Sequence, residues 1–310
     1  GTTMEDFTFT RPSSLSDAAA AHGSADDAMY MSGGQTLIPV LKQGLAMPTD
    51  IIDLNAIDDE TTAEIRAALL RYSVVFFQDQ EFTPESQAAF ARRFGPLNRH
   101  PYVKPMDGYP DVFRIIKEPT DKHHFGNGWH SDLAYTETPA LGTILYGIDV
   151  PQAGGDTMYA GTFAAYDALS DGMKEMLDGV KVVYTNAHTY GKDSSRFKAG
   201  VSKGMSVTPA EIKEVEHPIV RTHPESGRKA LYLSPVHFSR FGHMTAEESK
   251  PLFDTLVQHA TRPEFTCRFR WRKGAVAMWD NRSTMHYAVD DTIESTRVMQ
   301  RVTLEGDRPI

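Results

Sequence analysis

Apolar positions along this chain repeat with two different periods. From Asp58, "DDETTAEIRAALLRY" puts Ile65, Ala68 and Leu69 on one stripe behind acids in the first turn, which predicts a helix. The next run, "SVVFFQDQ", is β-branched and aromatic and predicts a buried strand. "TPESQAAFARRFG" carries Thr83 as N-cap, Pro84 at the first helical position and Gly95 as a stop. Leu141–Val150, "LGTILYGIDV", and Gly274–Asp280, "GAVAMWD", are short apolar strands bounded by turn residues, with helical patterns "SDGMKEMLDGV" and "MTAEESKPLFDTLVQHA" between them. The second of these has a capping box, Thr245 with Glu248, and Pro251 is expected to kink or restart it. Strands and helices out of strict alternation predict a β core decorated with helices. The first fifty-odd residues read differently. "FTFTRPSSLSDAAAAHG" suggests a strand, a turn and a helix from near Ser14 or Ser16, followed by "YMSGGQTLIPVLKQG". Its adjacent Gly33 and Gly34 would let backbone amides approach a phosphate, though a plain tight turn has the same signature.

Composition narrows what such a fold could do. With 310 residues, 40% hydrophobic and 24% charged, the chain can bury a sizeable core as one large β-rich domain or two smaller ones. A formal net charge of -9 argues against nucleic-acid binding, which needs clustered Lys and Arg. Cys267 is the single cysteine, so neither a disulfide framework nor a cysteine-ligated metal is expected, and a reducing cytoplasm fits. No apolar run long enough to span a bilayer and no signal peptide is read, so no membrane partner is expected; Gly1 reads as the remnant of a cleaved tag. Oligomeric state, a homo-oligomer included, is left open.

Candidate chemistry concentrates in three stretches. In "WHSD", Trp129 to Asp132, extended chain would point His130 and Asp132 to one side, so that an imidazole and a carboxylate grip one ion. Two ligands are few for a tight site. "WDNRSTMHYAVDD" supplies His286 just beyond a buried strand, and two histidines with one carboxylate make the facial arrangement of non-haem Fe(II) oxygenases. Zn(II) would accept the same donors, and among 12 histidines a His-x-Asp pair also arises by chance. His123, His124, His188, His217, His223, His237, His243 and His259 are read as structural or solvent-facing. "TRVMQRVTLEGD", as a strand, sets Arg297, Met299, Arg301 and Thr303 on one face and Val298, Gln300, Val302 and Leu304 on the other. The two guanidiniums then lie roughly 13 Å apart. Because guanidinium holds carboxylate or sulfonate through paired hydrogen bonds, they suggest two anionic molecules, unless they form an exposed pair on an edge strand.

Together these pieces resemble the taurine dioxygenase family of Fe(II)- and 2-oxoglutarate-dependent oxygenases. "YSVVFFQDQ", "ARRFGPLNRHP", "GWHSD", "VPQAGGDTMYA", "WRKGAVAMWDNRSTMH" and "TRVMQRVTLEGDRP" match in order and spacing from about Ile51 to the end. The resemblance implies a mainly β fold with helices outside, on a double-stranded β-helix, the cupin-like jelly roll. It implies Fe(II) held by His130, Asp132 and His286, which are thereby the catalytic residues. It places the distal carboxylate of 2-oxoglutarate against Arg297 and the Thr157 hydroxyl of "GGDT", with O2 as the oxidant. Arg301 matches a sulfonate-binding arginine, and His100 of "RHP" a substrate-contacting histidine. Tyr102 lies near a family substrate tyrosine in a shifted register. The taurine-contacting asparagine of the family falls on Gly126, with Asn127 beside it, which puts taurine itself in question. The implied reaction hydroxylates a small anionic molecule (a taurine-like sulfonate, an alkyl sulfate or an aryloxy acid) and releases succinate and CO2. Asp132 argues against a halogenase, which needs that coordination position for halide.

The amino end instead resembles the start of the FAD-binding medium subunit of molybdenum hydroxylases, whose "GGQTL" loop approaches FAD. Residues 1–55 are therefore read as an atypical segment, a fragment too short to assemble a flavin pocket, and 56–310 as the dioxygenase domain, joined near Ile51 to Ile57. Two other readings stand beside this one: a flavin-binding accessory fragment, and a catalytically silent jelly roll whose altered amino end spoils the metal cavity.

Overall fold

The structure is a computed structural model and describes residues 53–121, 125–194, 207–208, 211–291 and 295–310. The expected amino-terminal strand and helix, the Gly33–Gly34 turn, and His123 and His124 lie outside the described residues. The chain runs through α1 (Asp59–Tyr72), β1 (Val74–Phe77), α2 (Pro84–Arg92), β2 (Leu97–Asn98), β3 (Val112–Lys117) and β4 (Gly142–Asp149). Next come β5 (Thr157–Gly161), α3 (Thr162–Asp167), α4 (Asp171–Leu177), β6 (Lys181–Thr185), α5 (Ala187–Tyr190), β7 (Glu214–Pro218), β8 (Val220–Thr222) and β9 (Lys229–Leu231). It ends with β10 (Phe238–Phe241), α6 (Ala246–Ala260), β11 (Thr266–Phe269), β12 (Val276–Asp280), β13 (Thr284–Ala288) and β14 (Arg297–Leu304).

The helix ends follow the local chemistry. Asp58 caps α1 by accepting from the Thr61 amide at 2.8 Å, and Ser73 ends it in the left-handed region at φ 66. The Ser73 carbonyl then accepts from the Asp280 amide at 2.8 Å, which ties that corner to β12. Thr83 and Pro84 open α2 as expected, and Thr245 with Glu248 opens α6 with a reciprocal capping box. Pro251 does not restart α6, which is continuous. The amide it lacks would have bonded Glu247, and both residues are exposed, so water satisfies that carbonyl.

Two antiparallel sheets face each other. The larger runs β1-β12-β4-β14-β2, with β3 on the other part of β14; the smaller runs β11-β5-β13. Alternation along each strand sorts the side chains into layers. Val74, Phe76, Leu145, Ala277, Trp279 and Met299 point inward and meet Tyr159, Cys267 and Phe269 of the smaller sheet. Val75, Phe77, Ile144, Tyr146, Met278 and Val302 point outward, under Ile65 and Leu69 of α1 and Phe90 of α2. On the far side of the smaller sheet, Ala160 and Met285 pack with Val182 and Tyr184 of the β10-β6-β7 sheet and with Phe253 and Leu256 of α6. This double-layered sandwich is a jelly roll, and the inner layer between its sheets holds the candidate site. Among the described residues no helix is long and apolar enough to cross a membrane.

Candidate metal centre

His130 and His286, remote in sequence, form an antiparallel bridge. The His130 amide donates to the His286 carbonyl at 3.0 Å, and the reverse bond is 2.8 Å. Residues paired directly across an antiparallel ladder share a face, so both imidazoles project inward, with ring centroids 4.1 Å apart. His130 thus extends the smaller sheet by one pair beyond β13. Ser131 and Asp132 then leave the strand in a turn, completed by Leu133 at φ 54. The turn brings Asp132 Oδ1 to 3.7 Å from His130 Nε2 and 3.6 Å from His286 Nε2. All three are buried, and one donor atom from each lies within 4.8 Å of the others. They are the trio expected from the sequence.

Surrounding bonds aim these donors. His130 Nδ1 donates to the Gly128 carbonyl at 2.7 Å, so the ring's other nitrogen, Nε2, is the one turned toward Asp132. Asp132 Oδ2 is held by Arg301 Nη2 at 2.6 Å and by the Thr143 hydroxyl at 2.8 Å, so Oδ1 alone faces the imidazoles. Burial by itself would raise the Asp132 carboxyl, but the Arg301 guanidinium and the two imidazoles outweigh it and hold the group ionised, well below the usual range. Burial drives His286 well below the ordinary imidazole range, so it is the neutral ring that a metal needs. Asn281 braces the turn, since its Oδ1 accepts from the Asp132 amide at 3.2 Å and from Trp279 Nε1 at 3.0 Å. Gly126, at φ 83, lies against the same ring, and a Cβ there would meet His130 Cε1 at 3.2 Å. Two imidazole nitrogens and a single carboxylate oxygen form a set that suits Fe(II) with open positions.

Behind the trio lies a second polar cluster. Arg297 sits at the start of β14, 3% exposed, and burial lowers it to about 10. Its Nε and Nη2 have no hydrogen-bond partner among the described residues. The Trp271 indole joins it to Thr157: Nε1 donates to Thr157 Oγ1 at 2.9 Å, while Arg297 Cζ stands 5.8 Å from the ring centroid. Unpaired buried donors cost about 1–3 kcal/mol each, more when charged. A guanidinium left in this condition fits an anionic carboxylate, the far end of a dicarboxylic co-substrate.

The residues expected to meet substrate are spread more widely. His100 Nδ1 accepts from the Tyr102 and Val103 amides at 3.2 and 3.1 Å, which puts its proton on Nε2, 3.3 Å from the Tyr190 hydroxyl. Burial first, then Arg301, lowers His100 to about 3, so it is a neutral donor. Tyr102 turns its hydroxyl to Asn186 at 3.0 Å and packs its ring on Tyr190, with centroids 4.8 Å apart. Asn127 lies on the rim, where its amide donates to Asp290 at 3.3 Å. Arg301 is not separated from the trio as a pure substrate group; its Nη2 is the one that bonds Asp132. Sequence reasoning missed Thr143, Tyr159, Trp271, Asn281 and Tyr190. Thr143 had a signal, a polar residue of inward parity inside an apolar strand. His237, read as structural, lies with its ring 6.3 Å from that of His130 and holds Ser234 through Nδ1 at 2.9 Å.

The family profile for taurine catabolism dioxygenase TauD, TfdA family, matches residues 41–303. The chain belongs to that family. A second profile, the FAD binding domain in molybdopterin dehydrogenase, matches residues 5–71 and overlaps the first. Within the TauD, TfdA family the chain is 37% identical over 257 residues to an alpha-ketoglutarate-dependent sulfate ester dioxygenase of Pseudomonas putida, spanning 82% of this chain and 84% of that one. A crystal structure of a taurine dioxygenase from Burkholderia xenovorans superposes with a TM-score of 0.70 at 36% identity, covering 84% of this chain and 85% of the other. A second crystal structure, AAD-2 in complex with Mn(II) and N-oxalylglycine, superposes with a TM-score of 0.68 at 30% identity, covering 83% of this chain and 92% of the other. Alpha-ketoglutarate and 2-oxoglutarate are the same molecule.

Proposed function

We propose that this protein is an Fe(II)- and 2-oxoglutarate-dependent dioxygenase that hydroxylates a small organic anion and releases succinate and CO2. The observation that carries the reading is Asp132 Oδ1, at 3.7 and 3.6 Å from two inward imidazole nitrogens while Arg301 and Thr143 hold its other oxygen. His130, Asp132 and His286 would hold the metal, and Arg297 with Thr157 the distal carboxylate. Fe(II) with 2-oxoglutarate and O2 supplies, when bound, the oxidising power to hydroxylate a C–H bond. The chain's own residues do the rest. Asp132 stays ionised in a buried site, the neutral His286 ring presents a lone pair, and the aromatic wall of Tyr102, Tyr135 and Tyr190 excludes water. His100 Nε2 and the Arg301 guanidinium would orient the substrate's anionic head. A substrate whose reacting carbon bears a sulfate, sulfonate or aryloxy oxygen would expel that group after hydroxylation.

Sulfate esters and sulfonates are the first class to test, because the P. putida relative is a sulfate ester dioxygenase and the B. xenovorans one a taurine dioxygenase. Succinate release should be measured with an alkyl sulfate, taurine and a phenoxyacetate, against 2-oxoglutarate alone. At least one anion should stimulate release severalfold; a flat response across the panel would remove the substrate assignment. The dioxygenase domain is taken as 56–310 and residues 1–55 as a fragment of FAD-binding type. On that division purified protein is colourless; a yellow preparation with flavin absorbance would favour the accessory-fragment reading. A cytoplasmic setting suits a single buried thiol, Cys267.

A further inference from the structure

Tyr159 carries an unexplained hydroxyl in this core. It stands on β5 with Thr157, both of inward parity, while Met158 and Ala160 point away. Tyr159 pairs directly with His286 across β13, and Thr157 pairs with Ala288. The ring cannot swing out: Phe76 and Trp279 each lie 5.5 Å from it and His286 6.3 Å, and the residue is 1% exposed. Its hydroxyl makes no hydrogen bond of ordinary length among the described residues, although the Thr157 side chain lies near enough to act on it; Nε and Nη2 of Arg297 are also unmatched. The two orphaned groups lie in one neighbourhood. Trp271 links Thr157 to Arg297, and the Arg297 charge acts on the Tyr159 phenol.

A carboxylate has about four lone-pair sites. A guanidinium edge fills two, and the Thr157 hydroxyl a third. We propose that the Tyr159 hydroxyl fills the fourth and is a binding residue for the distal carboxylate of the dicarboxylic 2-oxo acid. This rests on the reading above that the carboxylate lies against Arg297. It gives the inner end of the site a preference for dicarboxylic over monocarboxylic 2-oxo acids, set by a phenol that no resemblance pointed to.

The test is calorimetric binding to the full-length, Mn(II)-loaded protein of 2-oxoglutarate, N-oxalylglycine and 2-oxobutyrate, the last lacking the distal carboxylate. Tyr159→Phe should weaken the first two roughly ten- to hundredfold and leave 2-oxobutyrate unchanged. Its ligand-free melting temperature should hold, because the hydroxyl removed makes no hydrogen bond of ordinary length. Arg297→Met should weaken the dicarboxylic acids still further. Wild-type affinity for 2-oxoglutarate in Tyr159→Phe, with Arg297→Met impaired, would overturn the proposal while sparing the site reading. Equal weakening of all three acids, or a lowered ligand-free melting temperature, would overturn it too, by showing a structural role. If wild type and Arg297→Met bind 2-oxoglutarate alike, the failure belongs to the site reading itself.

Discussion

Arg301 shows how much one side chain can be asked to do. Its Nη2 bonds both Asp132 Oδ2 and Thr143 Oγ1, and its Nε bonds Thr303 at 3.2 Å. It therefore fixes which carboxylate oxygen faces the two imidazoles. Lysine keeps the charge but loses the planar fork. Arg301→Lys should lower metal affinity roughly 10- to 100-fold, as loss of a supporting bond to a ligand usually does, and a Mn(II) titration in the absence of substrate reads it. A group that touched substrate alone would leave that titration unmoved. Asp132→Ala should abolish the weak visible charge-transfer band formed anaerobically with Fe(II) and 2-oxoglutarate; survival of the band would refute the ligand assignment. A different histidine sets an acid limit. His217 Nε2 donates to the Thr136 carbonyl at 2.9 Å, its Nδ1 is buried without a partner, and burial lowers it to about 4. The unfolded chain takes up this proton first, below about pH 6.5. The contribution present above that pH is lost progressively down to about 4, up to about 3 kcal/mol in all. Urea unfolding at pH 7.5, 5.5 and 4 should show the decline, and His217→Gln should flatten part of it.

At the level of elements, β14 was legible in the sequence because period-two alternation needs no partner to be read. Arg297, Met299 and Arg301 face the inner layer, while Val302 and Leu304 face the helices, as the pattern required. The pairing of His130 with His286 was not legible from alternation. It is a contact between distant segments that only sheet assembly creates; the sequence offered His286 as a third ligand from its place beyond a buried strand, and the family resemblance implied the same trio. Polar groups inside the core were also hidden. Gln87 of α2 donates from Nε2 to the Ile144 and Gln300 carbonyls at 3.0 and 3.2 Å, and its Oε1 accepts from Gln300 Nε2 at 2.8 Å. In a helix pattern a buried glutamine looks like a solvated position. Gln87→Leu leaves several buried groups unpaired and should cost about 2–3 kcal/mol in urea unfolding. Arg282 bonds Asp280 at 2.6 Å and Glu225 at 2.8 Å, with Asp280 also accepting from His223 at 3.0 Å. Removing that cation should cost about 3–5 kcal/mol, whereas breaking the exposed Arg240–Glu214 pair should cost under about 1 kcal/mol.

On the scale of the whole molecule, the fold itself brings the three candidate metal ligands together. Asp132 already has a cation and a hydroxyl on one oxygen, the main chains of His130 and His286 bond each other, and the His130 ring bonds the Gly128 carbonyl. Treatment with a chelator should therefore leave the circular dichroism spectrum unchanged, in contrast with small zinc domains that unfold when stripped. The residues proposed to hold the iron and the 2-oxo acid stand on strands or in the turn that leaves them. His100 lies between β2 and β3, Tyr190 at the end of α5, and His237 in the turn before β10. Connections tolerate change that strands do not. A descendant lineage can thus trade one anion for another by editing those crossings, while the oxidising machinery is inherited intact from its ancestor.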